Sequence, residues 1–522
     1  MKNTPQNRTA SRRAALRAIV ESERSETPLF ALLDQTKIAP NERGFARELC
    51  GGVMRNRARI DWSLEPLLKK PLQKLDSPVR EALRLALYEK LVLATPLHVV
   101  ADEYAGLMRG EKLGSAVGFV NAVARKLPAT WRASPDKTRN PAPFLAVEYS
   151  HPQWIVERYL ARFGFEQTEK LLQINNTQAP LCLRVNTLKT TRDRVLEALR
   201  NRGLQARAGD VSPDAIWVLD AVGSPENWPE WTAGEIIAQD EAAQIVARVL
   251  SPKHSWKVVD AASAPGGKTT HLAQLMNDEG AVLACDRSES RLKLVRENAR
   301  RLDVKTIETR ALDFRNFSAN ATLSSTREAT VGETKVDETA VSESNFSKLN
   351  IDKSNGDEIT VGESNALNVI VGKANADEAN AREEFDAVLL DAPCLGTGTW
   401  RRRPDARWRK TPAQLAELVQ LQRELLDVAA SAVKIGGVLV YSTCSLEPEE
   451  NEAQIHAFLS RHRGWKIDAE VPEAAREINA LVHDESGFWR TAPHIEYSML
   501  ANNEASVIRP DGMFAARLVR VS

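Results

Sequence analysis

From residue 8 to residue 128 the apolar side chains recur at helical spacing, and the alternation typical of strands is almost missing. In SPVREALRLALYEKLVLA, Val79, Leu83, Leu87 and Leu91 fall on one helical face. Ser77-Pro78 offers an N-cap followed by proline at the first helical position. The pattern predicts consecutive amphipathic helices. WRASPDKTRNPAP (131–143) is polar and proline-rich, and reads as a linker. The rhythm then changes over residues 181–219. PLCLRVNTL reads as a strand, TTRDRVLEALRNRG as a helix closed by glycine, and LQARAG and AIWVLD as short strands, a small α/β unit.

From about residue 236 apolar runs and amphipathic runs alternate. WKVVDAAS precedes TTHLAQLMN, AVLACD precedes SRLKLVRENARRL, FDAVLLDAP precedes a helix in 412–432, and GGVLVYSTC precedes PEENEAQIHAFL. Short Val- and Leu-rich strands alternating with helices predict a mostly parallel sheet covered on both faces, with ligands at the carboxyl ends of its strands. Residues 318–384 break the pattern. They are rich in Asn, Ser, Thr, Glu and Ala, carry the near-repeats TVGET, TVGES and IVGKA, and lack large apolar residues at either period. Such a segment cannot offset the entropy of ordering and is expected to be a disordered insertion. The expected domains are 1–135, all-helical; 145–235, a small α/β subdomain; and 236–522, the sheet domain containing the insertion.

Charge refines this division. The net charge is zero over 522 residues, yet residues 1–140 hold 25 Lys and Arg against 15 Asp and Glu, and residues 318–384 hold 6 against 13. A basic N-terminal third fits a polyanionic partner. No apolar run is long enough for a membrane span, and the basic N-terminus lacks the apolar core of a secretory signal, so it reads as a tail running into the first helix. Cys50, Cys182, Cys285, Cys394 and Cys444 are odd in number, widely spaced and free of CxxC pairs. That pattern argues against a disulfide framework and a zinc site and fits a reducing cytoplasm. The expected protein is a cytoplasmic monomer without a metal.

The chemistry concentrates at strand ends. VVDAASAPGGKTTHLAQLM (258–276) is a strand, a glycine-rich turn and a helix start, where backbone amides approach a ligand and the helix N-terminus favours an anionic group. A P-loop fails because Ala262 stands where its first glycine belongs, and a dinucleotide-binding G-x-G-x-x-G is missing. A nucleoside cofactor without pyrophosphate remains. Asp286, at the end of the next strand, is placed to bind its ribose hydroxyls, and S-adenosylmethionine has such a ribose, a carboxylate and no phosphate. Cys394 and Cys444 both follow strands. Cys285 does too and is assigned only packing, since free cysteine is commonly buried. After Cys444 comes SLEPEENE, which reads as a helix start and would favour the thiolate. A methyl donor beside a nucleophilic thiol suits pyrimidine C5. Thiolate addition at C6 makes C5 nucleophilic, the C5 proton then leaves, and a group bonded to the ring, for which Asp391 is the candidate, holds the developing charge.

DAASAPGGKTTH, DAPCLGTGTWRRRPD, YSTCSLEPEENE and DGMFAARL, with LRVNTLK and QDEAAQ upstream, resemble the RNA cytosine-5 methyltransferases. GGVMRNRARID and GFVNAVARKL resemble a NusB-like RNA-binding domain, a combination that points to the ribosomal RNA small subunit methyltransferase B (Sun/Fmu) family. The resemblance implies an α/β fold: a Rossmann-like S-adenosylmethionine-dependent methyltransferase core after an all-α NusB-like domain and a small α/β subdomain. It implies Cys444 as nucleophile and Cys394 as the residue assisting product release. Cofactor contacts are implied for Ala262, Ser263, Ala264, Pro265, Gly266, Gly267, Lys268, Asp286, Asp313 and Asp391. The chain reads Ala262-Ser263 where the family has Cys-Ala. Arg401, Arg402, Arg403 and Arg407 of WRRRPDARWRK, with Arg184 of LRVNTLK, are expected to meet RNA phosphates, and the flanking tryptophans to stack on bases. Small-subunit ribosomal RNA is the expected partner. Transfer RNA as substrate, a non-catalytic RNA-binding protein and a P-loop NTPase are the rival readings.

Overall fold

A computed structural model of the chain describes residues 8–25, 27–111, 113–220, 224–317, 384–478, 480–495 and 509–522. The insertion expected at 318–384 lies outside the described residues except for Glu384.

The N-terminal part is helical: α1 (Thr9–Ser22), α2 (Leu29–Asp34), α3 (Pro40–Leu64), α4 (Ser77–Leu91), α5 (Leu97–Gly110) and α6 (Val117–Ala124). Val79, Leu83 and Leu87 of α4 are buried with Ile19, Leu49 and Val53, as their spacing requires. Asp76 is the N-cap of α4 and Ser77 its first residue, and the Ser77 hydroxyl donates to Glu23 at 2.5 Å. Much of the positive charge of this region is neutralised internally. Arg12 binds Glu89 inside the core, Arg84 binds Asp61 and Glu81, and Arg80 binds Glu23.

A helical hairpin follows, α7 (Pro141–Glu148) and α8 (Gln153–Asn175), and then a four-stranded antiparallel sheet in the order β2-β3-β1-β4. Its strands are β1 (Leu181–Val185), β2 (Ala206–Ala208), β3 (Ala215–Val218) and β4 (Ile236–Ala238), with α9 (Arg192–Asn201) between β1 and β2 and the single turn α10 (Pro229–Thr232) before β4. Strand β4 pairs with β1, so the expected boundary at 235 falls ahead of the last strand of the small sheet.

The large sheet has the order β10-β12-β9-β8-β5-β6-β7. Parallel strands β5 (Lys257–Asp260), β6 (Ala281–Asp286), β7 (Ile307–Ala311), β8 (Phe385–Asp391) and β9 (Val433–Thr443) form its centre. Beyond β9, β12 (Met513–Arg520) runs antiparallel to it, and β10 (Trp465–Ile467) and β11 (Phe488–Thr491) each pair antiparallel with β12. Helices α11 (Glu241–Leu250), α12 (Gly267–Leu275), α13 (Glu289–Leu302), α14 (Pro412–Ser431) and α15 (Glu452–Arg461) accompany it. Residues 387–390 of β8 have no exposure, which a strand covered on both faces demands of its Ala-Val-Leu-Leu run. The chain moves outward from β5 through β6 to β7, then returns to lay β8 on the other flank of β5. This reversal opens a crevice at the carboxyl ends of β5 and β8, where doubly wound sheets hold ligands.

Candidate active site

The loop after β5 is shaped by its own sequence. The Ser263 N–H donates to the carbonyl of Cys285 on β6, and Gly266 N–H returns to Ser263 O at 2.8 Å, a tight turn that delivers the chain into α12. Gly266, the N-cap of α12, has φ of 99°, and a Cβ there would come within 3.0 Å of Val295 Cα on α13. Only glycine allows this approach. The end of β6 is built alongside: Asp286 accepts from Ser288 N–H, and the Ser288 hydroxyl accepts from Arg291 N–H to start α13. Arg291 ties the two loops together, pairing with Asp286 at 3.2 Å and donating to Ala264 O at 2.8 Å. The buried Ser263 hydroxyl has no partner among the described residues. A glycine cradle, an orphaned hydroxyl and a buried carboxylate at the neighbouring strand end fit a nucleoside cofactor. Ala262 and Pro265 belong to the same turn, and Gly267 and Lys268 open α12. Asp313 follows β7 beside the end of β6, where Leu312 N–H donates to Asp286 O at 3.0 Å. Arg315 binds the Asp313 carboxylate at 2.6 Å and holds it below the usual range.

Cys394 and Cys444 extend from the neighbouring parallel strands β8 and β9, and their sulfurs are 3.5 Å apart. Both are partly exposed, whereas Cys50, Cys182 and Cys285 are buried. Their surroundings differ in sign. A hydrogen bond from Cys394, then the charges of Lys268 and Arg403, hold the Cys444 thiol below its ordinary value against burial and Asp391. Cys394 is pushed up by that same bond to Cys444, by burial, and by Glu450 and Asp391. The arrangement favours Cys444 over Cys394 as the thiolate, with Cys394 as the thiol partner. Asp391, opposite Ser442 in the β8–β9 register, accepts from the Ser442 hydroxyl at 2.8 Å and from Lys268 at 2.6 Å. The Lys268–Asp391 pair thus joins the glycine turn to the two thiols, a link that sequence spacing did not reveal.

The segment after Cys444 departs from the expected helix start. A single 3-10 turn spans Pro448–Glu450, α15 begins only at Glu452, and the acids before it are bound by other elements. Arg158 of α8 binds Glu447 and Glu449 at 2.7 Å each, and Glu450 accepts from Leu395 N–H and Gln422. Thr397 accepts from Leu446 N–H, and Gly398 N–H donates to the Cys444 carbonyl at 3.0 Å. The two cysteine loops are therefore stitched to each other. The asymmetry of the thiols comes from Cys394, Lys268 and Arg403, with no helix terminus at the sulfur. The pair of arginines Arg158 and Arg162, one turn apart on α8, was the available sign of a partner for those acids.

Three of the five arginines expected at RNA are structural. Arg184 is fully buried and donates to Gln239, Gly267 O and Thr270, bracing β1 of the small sheet against the first turn of α12. Arg407, also fully buried, donates to the carbonyls of Ser150, Asn175 and Trp400. Burial without a paired carboxylate pulls both down to about 9. Arg402 is locked between Asp240 and Asp511 at 2.5 and 3.0 Å. Arg401 is partly buried and reaches the carbonyls of Gln178 and Arg509, while Arg403 is exposed beside Cys444. The tryptophans are occupied as well, Trp400 in the core under α7 and α8 and Trp408 against the helical domain.

Residues 247–327 and 334–518 match the family described as 16S rRNA methyltransferase RsmB/F, residues 151–223 the ferredoxin-like domain of RsmF/B-like methyltransferases, and residues 9–128 the NusB family. A probable ribosomal RNA small subunit methyltransferase B of Bacillus subtilis is 30% identical over 497 residues, covering 93% of this chain and 96% of its own. The ribosomal RNA small subunit methyltransferase B of Yersinia enterocolitica is 29% identical over 487 residues, covering 93% and 97%. The crystal structure of PH0851 superposes with a TM-score of 0.73 at 25% identity, covering 99% of this chain and 100% of that one.

Proposed function

The chain belongs to the 16S rRNA methyltransferase RsmB/F family, and from that premise we propose that it methylates C5 of a cytosine in small-subunit ribosomal RNA, in the cytoplasm, through a covalent adduct between Cys444 and C6. The observation that carries this reading is the thiol pair: two partly exposed cysteines at the ends of adjacent strands, their sulfurs 3.5 Å apart, one favoured as thiolate and the other as donor. A structural pair of cysteines needs neither exposure nor opposite polarity.

The turn Ala262–Lys268, with Asp286 at the ribose and Asp391 nearby, would hold S-adenosylmethionine, which when bound supplies an electrophilic methyl group. The Cys444 thiolate adds to C6 of the base, and the electron pair of the C5–C6 bond becomes available at C5. Asp391, paired with Lys268 at 2.6 Å, accepts from the exocyclic amine and orients the ring. Once C5 is alkylated its proton passes to a water molecule acting as base, the C5–C6 double bond re-forms, and the C6–sulfur bond breaks with its electron pair left on Cys444. Cys394, whose sulfur lies 3.5 Å from that of Cys444, donates its thiol proton toward the departing thiolate and stabilises it. Exposed Arg403 is the remaining arginine of the WRRRPDARW stretch suited to a phosphate beside the flipped base.

The test is 5-methylcytosine mapping of small-subunit RNA from cells with and without the gene, joined to two variants. Cys444→Ala should abolish methylation and adduct while cofactor binding persists. Cys394→Ala should trap a protein–RNA complex that survives denaturing electrophoresis. An adduct trapped by Cys444→Ala would reverse the two roles, and an unchanged methylation map would remove the substrate assignment.

A further inference from the structure

The loop from β8 to α14, residues 392–411, carries Cys394 at one end, and its other end is fastened to the N-terminal helical domain. Asp405 accepts from the N–H of Leu29, 376 residues away, at the start of α2. That start follows Pro28, which provides no side-chain cap, so Asp405 supplies the acceptor that α2 lacks. Trp408 packs on the helical core and donates its indole N–H to Met54 O on α3 at 2.8 Å, and the Arg57 guanidinium lies 5.5 Å from its ring. Arg409 donates to Ser25 O at 3.0 Å and to Asp405 at 2.7 Å.

These contacts lead back to the thiols through bonds inside the loop. Arg407 grips Trp400 O, Thr399 O accepts from the N–H groups of Arg402 and Arg403, and Gly398 lies between Gly512 N–H and the Cys444 carbonyl. We infer that Asp405 and Trp408 are positioning residues through which the helical domain holds the Cys394 loop in register with Cys444, so that the domain contributes to turnover as well as to RNA affinity. The inference rests on the assignment of Cys394 to product release.

The experiment uses the full chain with a small-subunit RNA transcript. Trp408→Ala should lower kcat on the order of 10- to 100-fold, the scale of a displacement remote from the chemistry. The KM for RNA and the affinity for S-adenosylmethionine should stay within about threefold, since neither binding surface is altered. The denaturation-resistant RNA complex should accumulate above the parent level, and Trp408→Phe, which keeps the ring, should recover most of the turnover. Should Trp408→Ala fail to fold, Asp405→Asn, which preserves shape, carries the same expectation. A raised KM with unchanged kcat would overturn the inference, because the domain would then act only as a tether. Cys394→Ala runs in parallel: if it traps no complex, the release assignment fails, while the division between kcat and KM still decides the role of Trp408.

Discussion

Gly266 and Gly267 are adjacent in the glycine turn, yet the structure gives them unequal duties, and alanine at each tests the turn directly. At Gly266 two terms add. A φ of 99° lies outside the range of L side chains and costs about 1–3 kcal/mol. The new Cβ would also sit 3.0 Å from Val295 Cα and 3.3 Å from Val295 Cγ1, inside the carbon contact minimum, where overpacking against backbone costs about 1–3 kcal/mol. The expected total is about 2–6 kcal/mol. If the turn holds its shape, that total is a loss of stability. If the turn relaxes away from α13, it carries Lys268 off Asp391, and each 1.4 kcal/mol lost from the site weakens S-adenosylmethionine about tenfold. Gly267→Ala is the control for strain and stability alone, since Gly267 belongs to the same cofactor segment: its φ is not positive and the nearest atom is Gln239 Nε2 at 3.6 Å. Thermal unfolding and calorimetric titration with S-adenosylmethionine, performed on both variants, read the two shares. Parental melting and affinity in Gly266→Ala, or a larger loss of stability in Gly267→Ala, would refute the reasoning.

Arg403→Ala should weaken RNA binding and lower the salt slope by about one counterion, whereas Arg407→Ala should leave the slope unchanged and destabilise the fold by about 2 kcal/mol or more, as buried carbonyls lose their donor. The rate of iodoacetamide alkylation at Cys444 should rise with pH through a midpoint below that of an ordinary thiol. Cys394→Ala and Lys268→Met should each move this midpoint upward, and an unmoved midpoint in both would contradict the electrostatic account. Phe317 and Phe385, which flank the segment 318–383, lie with ring centroids 6.1 Å apart. A short Gly/Ser linker can therefore span the join at little loop-closure cost, and the shortened enzyme should turn over within a few-fold of the parent; a folded but inactive protein would count against this.

The sequence by itself determined the local elements and which side chains are candidates for the reacting groups. Period, capping residues and turn glycines act over a few neighbours, so Val79, Leu83 and Leu87 were legible as one buried face, and Cys394 and Cys444 as strand-end thiols. Only the tertiary structure decided how each polar group is satisfied. The same guanidinium can bind a phosphate in water or three carbonyls in a core. Arg407 took the second course because Ser150 and Asn175, more than 200 residues earlier, are folded around it. Strand β4 was hidden for a related reason, since a three-residue apolar run becomes a strand only when β1 offers its edge. The acids after Cys444 matched a helix start in sequence, but Arg158 and the Leu395 N–H drew them into the frame of the site. Hydrogen-bond partners of buried charges come from wherever the chain returns, and that return is set by packing of the whole rather than by any local pattern.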